Sequence, residues 1–333
     1  MPLGGCHSLR WRSGTKLEQN EHPLRLLFFL VFFLELVPEV LSALLGHLWE
    51  ALLEHGTPLA AIGFYIGISF VLISWSTLGL GLFSGYRVGR SLDLKANLRA
   101  VIYSLVGGTY FGSSIGQVAT TIVIKQPKSE PLLLVILGDL ISTSFLSIVF
   151  TVFTALSLAY LRSPKHPLGQ YPRGMNQEEG LEPELKRQKM RLLFVIVFIL
   201  GLVDTGVFYG WSMIYIPKFL VANGELPSMT RMLYWQIISS AISLTITGLV
   251  LLGGYWIGQK IDLEGTLRAS ILSTLGGAYF GGWVGAVPLV LTIIQPESLW
   301  LTVFLSILLA SSLVLHLFFR IFTALSLAHL RSP

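Results

Sequence analysis

Apolar residues fill long stretches of the chain, and polar residues gather in the short segments between these stretches. Eight apolar runs are long enough to cross a bilayer as α-helices, which takes about 20 residues each. Glu35, Pro38 and Glu39 interrupt the first run, whereas the other runs are more continuous. The runs cover Leu24–Leu48, Pro58–Phe83, Leu98–Ile124, Pro131–Phe153, Arg191–Ile216, Met232–Ile257, Leu267–Ile294 and Leu299–Phe319. The pattern predicts an all-α integral membrane protein with eight transmembrane helices.

The second part of the chain repeats the first. Leu98–Pro164 aligns without a gap on Leu267–Pro333, and roughly half of the aligned residues are identical. Upstream of this stretch, the same spacing between equivalent residues would pair Glu35 with Asp204. The better local match uses a spacing three residues shorter and pairs Glu35 with Gly201. A repeat of this length indicates a duplicated domain and not a solenoid unit.

Each copy holds four predicted helices, and an even number returns the chain to the side of the membrane where it began. The copies are therefore predicted to be two tandem parallel four-helix repeats, related by an axis along the membrane normal. The predicted segments are a cytoplasmic N-terminal segment at 1–23, the first repeat at 24–164, a cytoplasmic linker at 165–190 and the second repeat at 191–333.

Basic residues give the orientation of the predicted helices. Lys125, Lys128, Lys218 and Arg231 fall on one side of the membrane, and Arg320 lies at the inner edge of the last span. All other Lys and Arg residues collect on the side of the two termini, which the positive-inside rule assigns to the cytoplasm. We expect a multi-pass protein of the cell membrane with both termini cytoplasmic.

Composition narrows the partners and the chemistry. Hydrophobic residues make up 53% of the chain and charged residues 12%, about half the charged share of soluble domains. The net charge of +5 reflects basic residues at helix ends, which predicts contact with anionic headgroups and no nucleic-acid partner. Cys6 is the only cysteine, and the sequence has neither a nucleotide-binding loop nor metal-ligand spacing, so no cofactor or metal is expected. The expected partners are the lipid bilayer and a small solute or ion, and the sequence leaves oligomerisation open.

Glycines recur at every fourth residue in two equivalent helices. They are Gly108, Gly112 and Gly116 in the third helix, and Gly277, Gly281 and Gly285 in the seventh. Lipid provides little hydrophobic force between helices, so small residues at this spacing allow two backbones to approach closely. We expect these glycines to be helix-packing positions.

Five ionisable residues fall within the predicted spans, where such groups are costly unless they face a polar interior. They are Glu35, Asp139, Asp204, His316 and Arg320. On the fourth helix Thr143 and Ser147 follow Asp139 at steps of four, and the sixth helix contributes Gln236. These eight residues are the candidate polar pathway. His316 is the one group of the five whose free side chain titrates near neutral pH, and Arg320 is expected to extend toward the cytoplasmic headgroups.

The end of each copy is nearly invariant. Phe153–Pro164 and Phe322–Pro333 differ only by Tyr160 in the first copy and His329 in the second. An amphipathic helix end at the cytoplasmic surface, anchored by its arginine and stopped by its proline, accounts for this pattern. We expect both segments to occupy the same structural environment.

These features predict a transporter or channel for a small solute or ion, with its site where the two repeats meet. A non-catalytic membrane scaffold or assembly partner is the alternative, because glycine-rich helices serve that role equally well. A lesser alternative is an intramembrane aspartyl protease, in which Asp139 and Asp204 would share a proton. The helix spacing allows these two carboxyl groups to meet but does not force them together, so an enzyme is the less favoured class.

Overall fold

The computed structural model describes residues 12–54, 59–123, 146–162, 182–204, 229–263, 265–293 and 299–331. Within these ranges the chain forms eight α-helices and no strand. The helices are α1 (Arg12–Glu54), α2 (Leu59–Gly89), α3 (Leu98–Val123), α4 (Leu146–Leu161), α5 (Glu182–Val203), α6 (Met229–Gly258), α7 (Leu267–Ile293) and α8 (Leu299–Arg331). For the described residues, the prediction of an all-α fold is confirmed.

Several helices follow the predicted apolar runs closely. The helices α3 and α7 start at the predicted residues and end one residue before the predicted ends. In the part of the chain that the structure describes, Ser240–Gly258 is the one stretch that is both long and apolar enough to cross a membrane. The described side chains cover only part of each of the other predicted spans. The membrane assignment therefore stays a prediction.

All the helices except α3 and α7 extend beyond the predicted spans at one end or both. The helix α5 begins at Glu182, inside the predicted linker, and α8 continues without a break to Arg331. The expectation that the last segment is an amphipathic helix at the surface is wrong, because Phe322 and Leu325 are fully buried. The polar residues Thr323 and Ser326 are buried as well, so they mark an interhelical contact and not a solvated face.

The helices form two groups that share one contact surface. In the first group α1 packs against α2 and α3, and α2 packs against α4. In the second group α5 packs against α7, and both α6 and α7 pack against α8. The two groups meet principally through α4 and α8.

Glycines allow each group to pack closely around α4 or α8. A Cβ atom built on any of four glycines would lie 2.7 to 2.9 Å from the Cβ atom of an alanine on the facing helix. The pairs are Gly85–Ala155 and Gly89–Ala159 between α2 and α4, and Gly254–Ala324 and Gly258–Ala328 between α6 and α8. Such distances require helix backbones in near contact, a geometry that small residues permit.

Enlarging one of these glycines should separate the helices. We expect Gly254→Leu to lower the free energy of unfolding by about 1–3 kcal/mol, because its side chain overlaps Ala324. The neighbouring Gly253→Leu is the control, since nothing lies within 4 Å of a Cβ atom at that position. The measurement is thermal unfolding of the purified protein, and equal losses in both variants would contradict the close crossing.

Candidate functional site

The contact between α4 and α8 joins equivalent residues of the two copies. Ser147 Oγ lies 2.7 Å from His316 Nδ1, and Thr154 Oγ1 lies 3.4 Å from Thr323 Oγ1, both at a sequence separation of 169 residues. Equivalent residues can meet at two heights along the helices only if the helices run parallel and in register. We call this contact surface the seam.

The seam has the spacing of a parallel two-helix coiled coil. Its positions follow one another at alternating steps of three and four residues, the a and d positions of a heptad pattern. The facing positions are Ser147 and His316, Phe150 and Phe319, Thr154 and Thr323, Ser157 and Ser326, and Leu161 and Leu330. Four of these five pairs hold identical residues, and the fifth is the pair of Ser147 and His316. Beside the last two pairs the copies differ once more, with Tyr160 in the first copy and His329 in the second.

Reciprocal hydrogen bonds hold the centre of the seam. Thr154 Oγ1 donates to the carbonyl oxygen of Phe319 at 3.4 Å, and Thr323 Oγ1 donates to that of Phe150 at 3.3 Å. Both threonines are buried, and a buried hydroxyl without a partner is costly. The exchange of bonds satisfies each hydroxyl through the opposite helix.

A cluster of polar and charged side chains lies at one end of the seam. It consists of Ser147 on α4, Asp204 at the end of α5, and His316 and Arg320 on α8. Arg320 Nη1 lies 3.6 Å from Asp204 Oδ1, and these side chains are 19% and 11% exposed. His316 and Arg320 are four residues apart and share one helix face. A hydroxyl, a carboxylate, an imidazole and a guanidinium therefore converge from both groups of helices.

The structure corrects the expected direction of Arg320. The side chain was expected to reach the cytoplasmic headgroups, but it lies beside Asp204. The error has a clear cause, since α8 continues eleven residues beyond Arg320. At about 1.5 Å per residue, this places Arg320 roughly 16 Å from the end of the helix, where its side chain contacts Asp204.

Glu35 lies in α1, outside this cluster. Its side chain is 7% exposed, its Cβ atom packs near Gly112, and Oε1 has no hydrogen-bond partner among the described residues. The carboxyl group is therefore a buried acceptor with unused capacity. Of the predicted acids, it is the one with an unpartnered oxygen in the part of the chain that is described.

Ring contacts decide which residue of the second copy corresponds to Glu35. Phe28 meets Phe111 with ring centroids 6.4 Å apart, and Phe194 meets Phe280 at 6.3 Å. Phe28 therefore corresponds to Phe194, which supports the shorter of the two upstream offsets. By that offset Glu35 corresponds to Gly201 and not to Asp204. The two acids lie one turn apart on equivalent helices, and neither has an acidic counterpart.

The predicted packing glycines lie where α3 meets α1 and where α7 meets α5. A Cβ atom on Gly108 would lie 2.6 Å from the carbonyl oxygen of Phe28, and one on Gly277 would lie 2.7 Å from that of Phe194. Gly112 and Gly281 approach the next turns of α1 and α5 in the same way. Gly116 meets Glu39, and Gly285 lies one turn beyond Gly281 on α7.

Three predicted pathway residues have no described side chain. Asp139 and Thr143 lie outside the described residues, and Gln236 lies in α6 with its side chain not described. The proposed meeting of Asp139 and Asp204 is therefore not tested. Within the described ranges no group of three or more His, Cys, Asp or Glu side chains could hold a metal ion.

Sequence reasoning missed the pairing of Asp204 with Arg320 and the reciprocal bonds of Thr154 and Thr323. The signal for the threonines was present, since the repeat is most nearly invariant in the segments that contain them. No comparable signal marks the ion pair, because Asp204 and Arg320 lie on helices that are distant in sequence.

No known protein family, curated protein or solved structure matches this chain.

The ion pair can be tested by comparing single and double substitutions. Asp204→Leu or Arg320→Leu alone leaves a mostly buried charge without its partner, which we expect to cost about 3 kcal/mol of unfolding free energy. The double variant removes both charges, so its loss should be smaller than the sum of the single losses. Thermal unfolding of the purified protein measures these losses of unfolding free energy. The control is Glu184→Leu, which removes an exposed acid on α5. Strictly additive losses would contradict a direct interaction.

Proposed function

We propose that this chain is a multi-pass membrane protein built from two parallel four-helix repeats, related by an axis that runs along the seam. The sequence repeat and the in-register contacts between α4 and α8 support the duplication. The segments 24–164 and 191–333 would form the repeats, joined by the linker at 165–190. Both termini would then lie in the cytoplasm of a protein in the cell membrane.

Exposed apolar side chains support the membrane assignment. Phe83 is 68% exposed and its equivalent Leu252 is 69% exposed, and Tyr103 and Leu272 match in the same way at 77% and 71%. Large apolar residues exposed at equivalent positions of two repeats form the kind of surface that needs a covering partner. A bilayer would cover both repeats at once.

Within this architecture we propose transport of a small solute or ion through a site at the interface of the repeats. The observation that carries the proposal is the cluster of Ser147, Asp204, His316 and Arg320. Charged groups at membrane depth are costly, so their retention in a protein interior favours a functional role. Sites of repeat-built transporters tend to form where the repeats meet.

The asymmetry of the cluster also favours transport. Four of the five facing pairs of the seam are identical in the two copies, whereas Ser147 faces His316, and Arg320 corresponds to the uncharged Thr151. A purely structural seam has no need of unequal charges at one end. Glu35, with an unpartnered oxygen, adds an acid in the first copy that a cation or proton could engage.

The tight packing of the seam supports a second candidate, a membrane scaffold or assembly partner. Phe150, Phe319, Thr154 and Thr323 are all buried, so the middle of the seam is filled with side chains. A rigid seam suits a platform that holds other chains. In a scaffold the ion pair would only stabilise the helix contact.

An intramembrane aspartyl protease is the weakest of the three candidates. It requires Asp139 and Asp204 to share a proton, which is the arrangement of aspartic-protease dyads. Asp204 instead has Arg320 as its charged neighbour. No observation on the described residues favours the dyad, so we do not propose catalysis.

Flux measurements on reconstituted protein separate transport from a scaffold. The full chain would be placed in vesicles and tested for proton, sodium, potassium and chloride movement with ion-sensitive dyes. We expect one flux above that of empty vesicles, reduced at least about tenfold in a variant that combines Glu35→Gln, Asp204→Asn and His316→Ala, because removing buried functional charges costs more than 1.4 kcal/mol.

The control is His329→Gln, a histidine at the other end of the seam on the same helix. It should leave the flux near the level of the original protein. A flux that survives the combined variant would remove these residues from the pathway. Absence of flux, with the variants changing only thermal stability, would favour the scaffold.

A further inference from the structure

Four arginines from three helical regions line an open pocket of about 1360 Å³ near the ends of α4, α5 and α7. Arg162 follows α4, Arg187 and Arg191 lie one turn apart on α5, and Arg268 lies in the first turn of α7. All four arginines are exposed, and no acidic side chain lines the pocket within the described residues. The pocket therefore concentrates positive charge from both groups of helices.

The amino-terminal end of α7 adds hydrogen-bond donors to the same pocket. The loop before α7 is capped by Asp262, whose carboxylate accepts from the Gly265 amide at 3.2 Å. The first amides of a helix lack a carbonyl partner within it and carry a partial positive charge, which here applies to Leu267, Arg268 and Ala269. Leu267, Arg268 and Ala269 line the pocket, so these amides supplement the guanidinium groups.

One wall of the pocket is apolar and continues along α5. Met190, Phe194 and Val195 lie beside the arginines, and Ser270 Oγ contacts Met190 Sδ at 3.7 Å. From Arg191 the face continues to Val195 and Ile199, which are 49% and 52% exposed. A basic pocket thus opens onto an exposed apolar stripe.

The first repeat differs at one of the four equivalent positions. Arg162, Arg191 and Arg268 correspond to Arg331, Arg25 and Arg99, but Arg187 corresponds to Glu21 by the offset that the ring contacts support. A negatively charged side chain at this position would repel an anion. The second repeat is therefore the one suited to anion binding, and it offers a matched control in the first.

We propose that this pocket binds a phosphate group, either as the headgroup of an anionic phospholipid or as a free phosphate. Guanidinium groups bind phosphate oxygens through paired hydrogen bonds, and helix amino termini favour the same anions. Basic pockets between helices on the cytoplasmic side bind phosphorylated headgroups. The apolar stripe beside the pocket matches an acyl chain, which favours the lipid as the source. This binding is independent of transport and does not require the cluster at the seam.

The test uses the purified full chain in phosphatidylcholine nanodiscs with and without phosphatidic acid. A parallel set holds the chain in discs of phosphatidylcholine alone, with added inorganic phosphate. Bound lipid is read by native mass spectrometry, and the effect on thermal unfolding is read in both arms. Phosphatidylserine is the anionic control, because its phosphate is a diester and not a monoester. We expect phosphatidic acid to be retained and to raise the melting temperature more than phosphatidylserine does.

The double variant Arg187→Glu with Arg268→Gln should weaken binding at least about tenfold, since it removes two of the four guanidinium groups and adds an acid. Arg99→Gln, the first-repeat equivalent of Arg268, should bind as the original protein does. If the double variant does not fold, Arg268→Lys serves in its place, because lysine keeps the charge but loses the paired hydrogen bonds.

The outcomes either identify the source of the bound phosphate group or overturn the proposal. Retention of phosphatidic acid without a response to inorganic phosphate identifies a headgroup, and stabilisation by inorganic phosphate identifies a free anion. Absence of both responses would overturn the proposal. Unchanged binding in the pocket variants would also overturn it. An equal loss of binding in Arg99→Gln would do the same, because it would indicate general attraction to the basic surface.

Discussion

The seam between α4 and α8 is the constraint on which the rest of the structure depends. Thr154 and Thr323 are buried at equivalent positions, and each hydroxyl is satisfied by a carbonyl oxygen of the opposite helix. This exchange requires the helices to be parallel and in register. Once α4 and α8 are fixed, close glycine crossings attach α2 to α4 and α6 to α8, and the remaining helices pack outside them.

The two copies share a helical framework but differ in charge. Side chains at the seam are identical in four of five pairs, whereas the ion pair of Asp204 and Arg320 occurs in one copy alone. The basic pocket shows the same relation between the copies. Its helices have equivalents in the first copy, but Arg187 of the second copy corresponds to Glu21 of the first. Both differences concern charged groups, which are costly to bury or to crowd.

The positions of the helices were predictable because apolar runs and polar loops alternate clearly, as the ends of α3 and α7 illustrate. The last segment was not predictable in the same way, since Thr323 and Ser326 read as a polar face but are buried in the seam. Glycine spacing indicated close packing, yet only the structure identifies the carbonyl oxygens of Phe28 and Phe194 as the neighbours. The partner of Arg320 depends on the packing of α5 on α8, which no local pattern encodes.

Cross-linking across the seam tests the central claim most directly. In a chain with Cys6→Ser, the pair Thr154→Cys and Thr323→Cys would be oxidised in the membrane, and a protease site in the segment 165–181 would then be cleaved. The account predicts that the halves stay linked until a reductant is added, because the two side chains face each other at 3.4 Å. The pair Ser147→Cys and Thr323→Cys, seven residues out of register, should separate. Separation of the first pair, or equal linkage of both, would contradict a parallel seam in register.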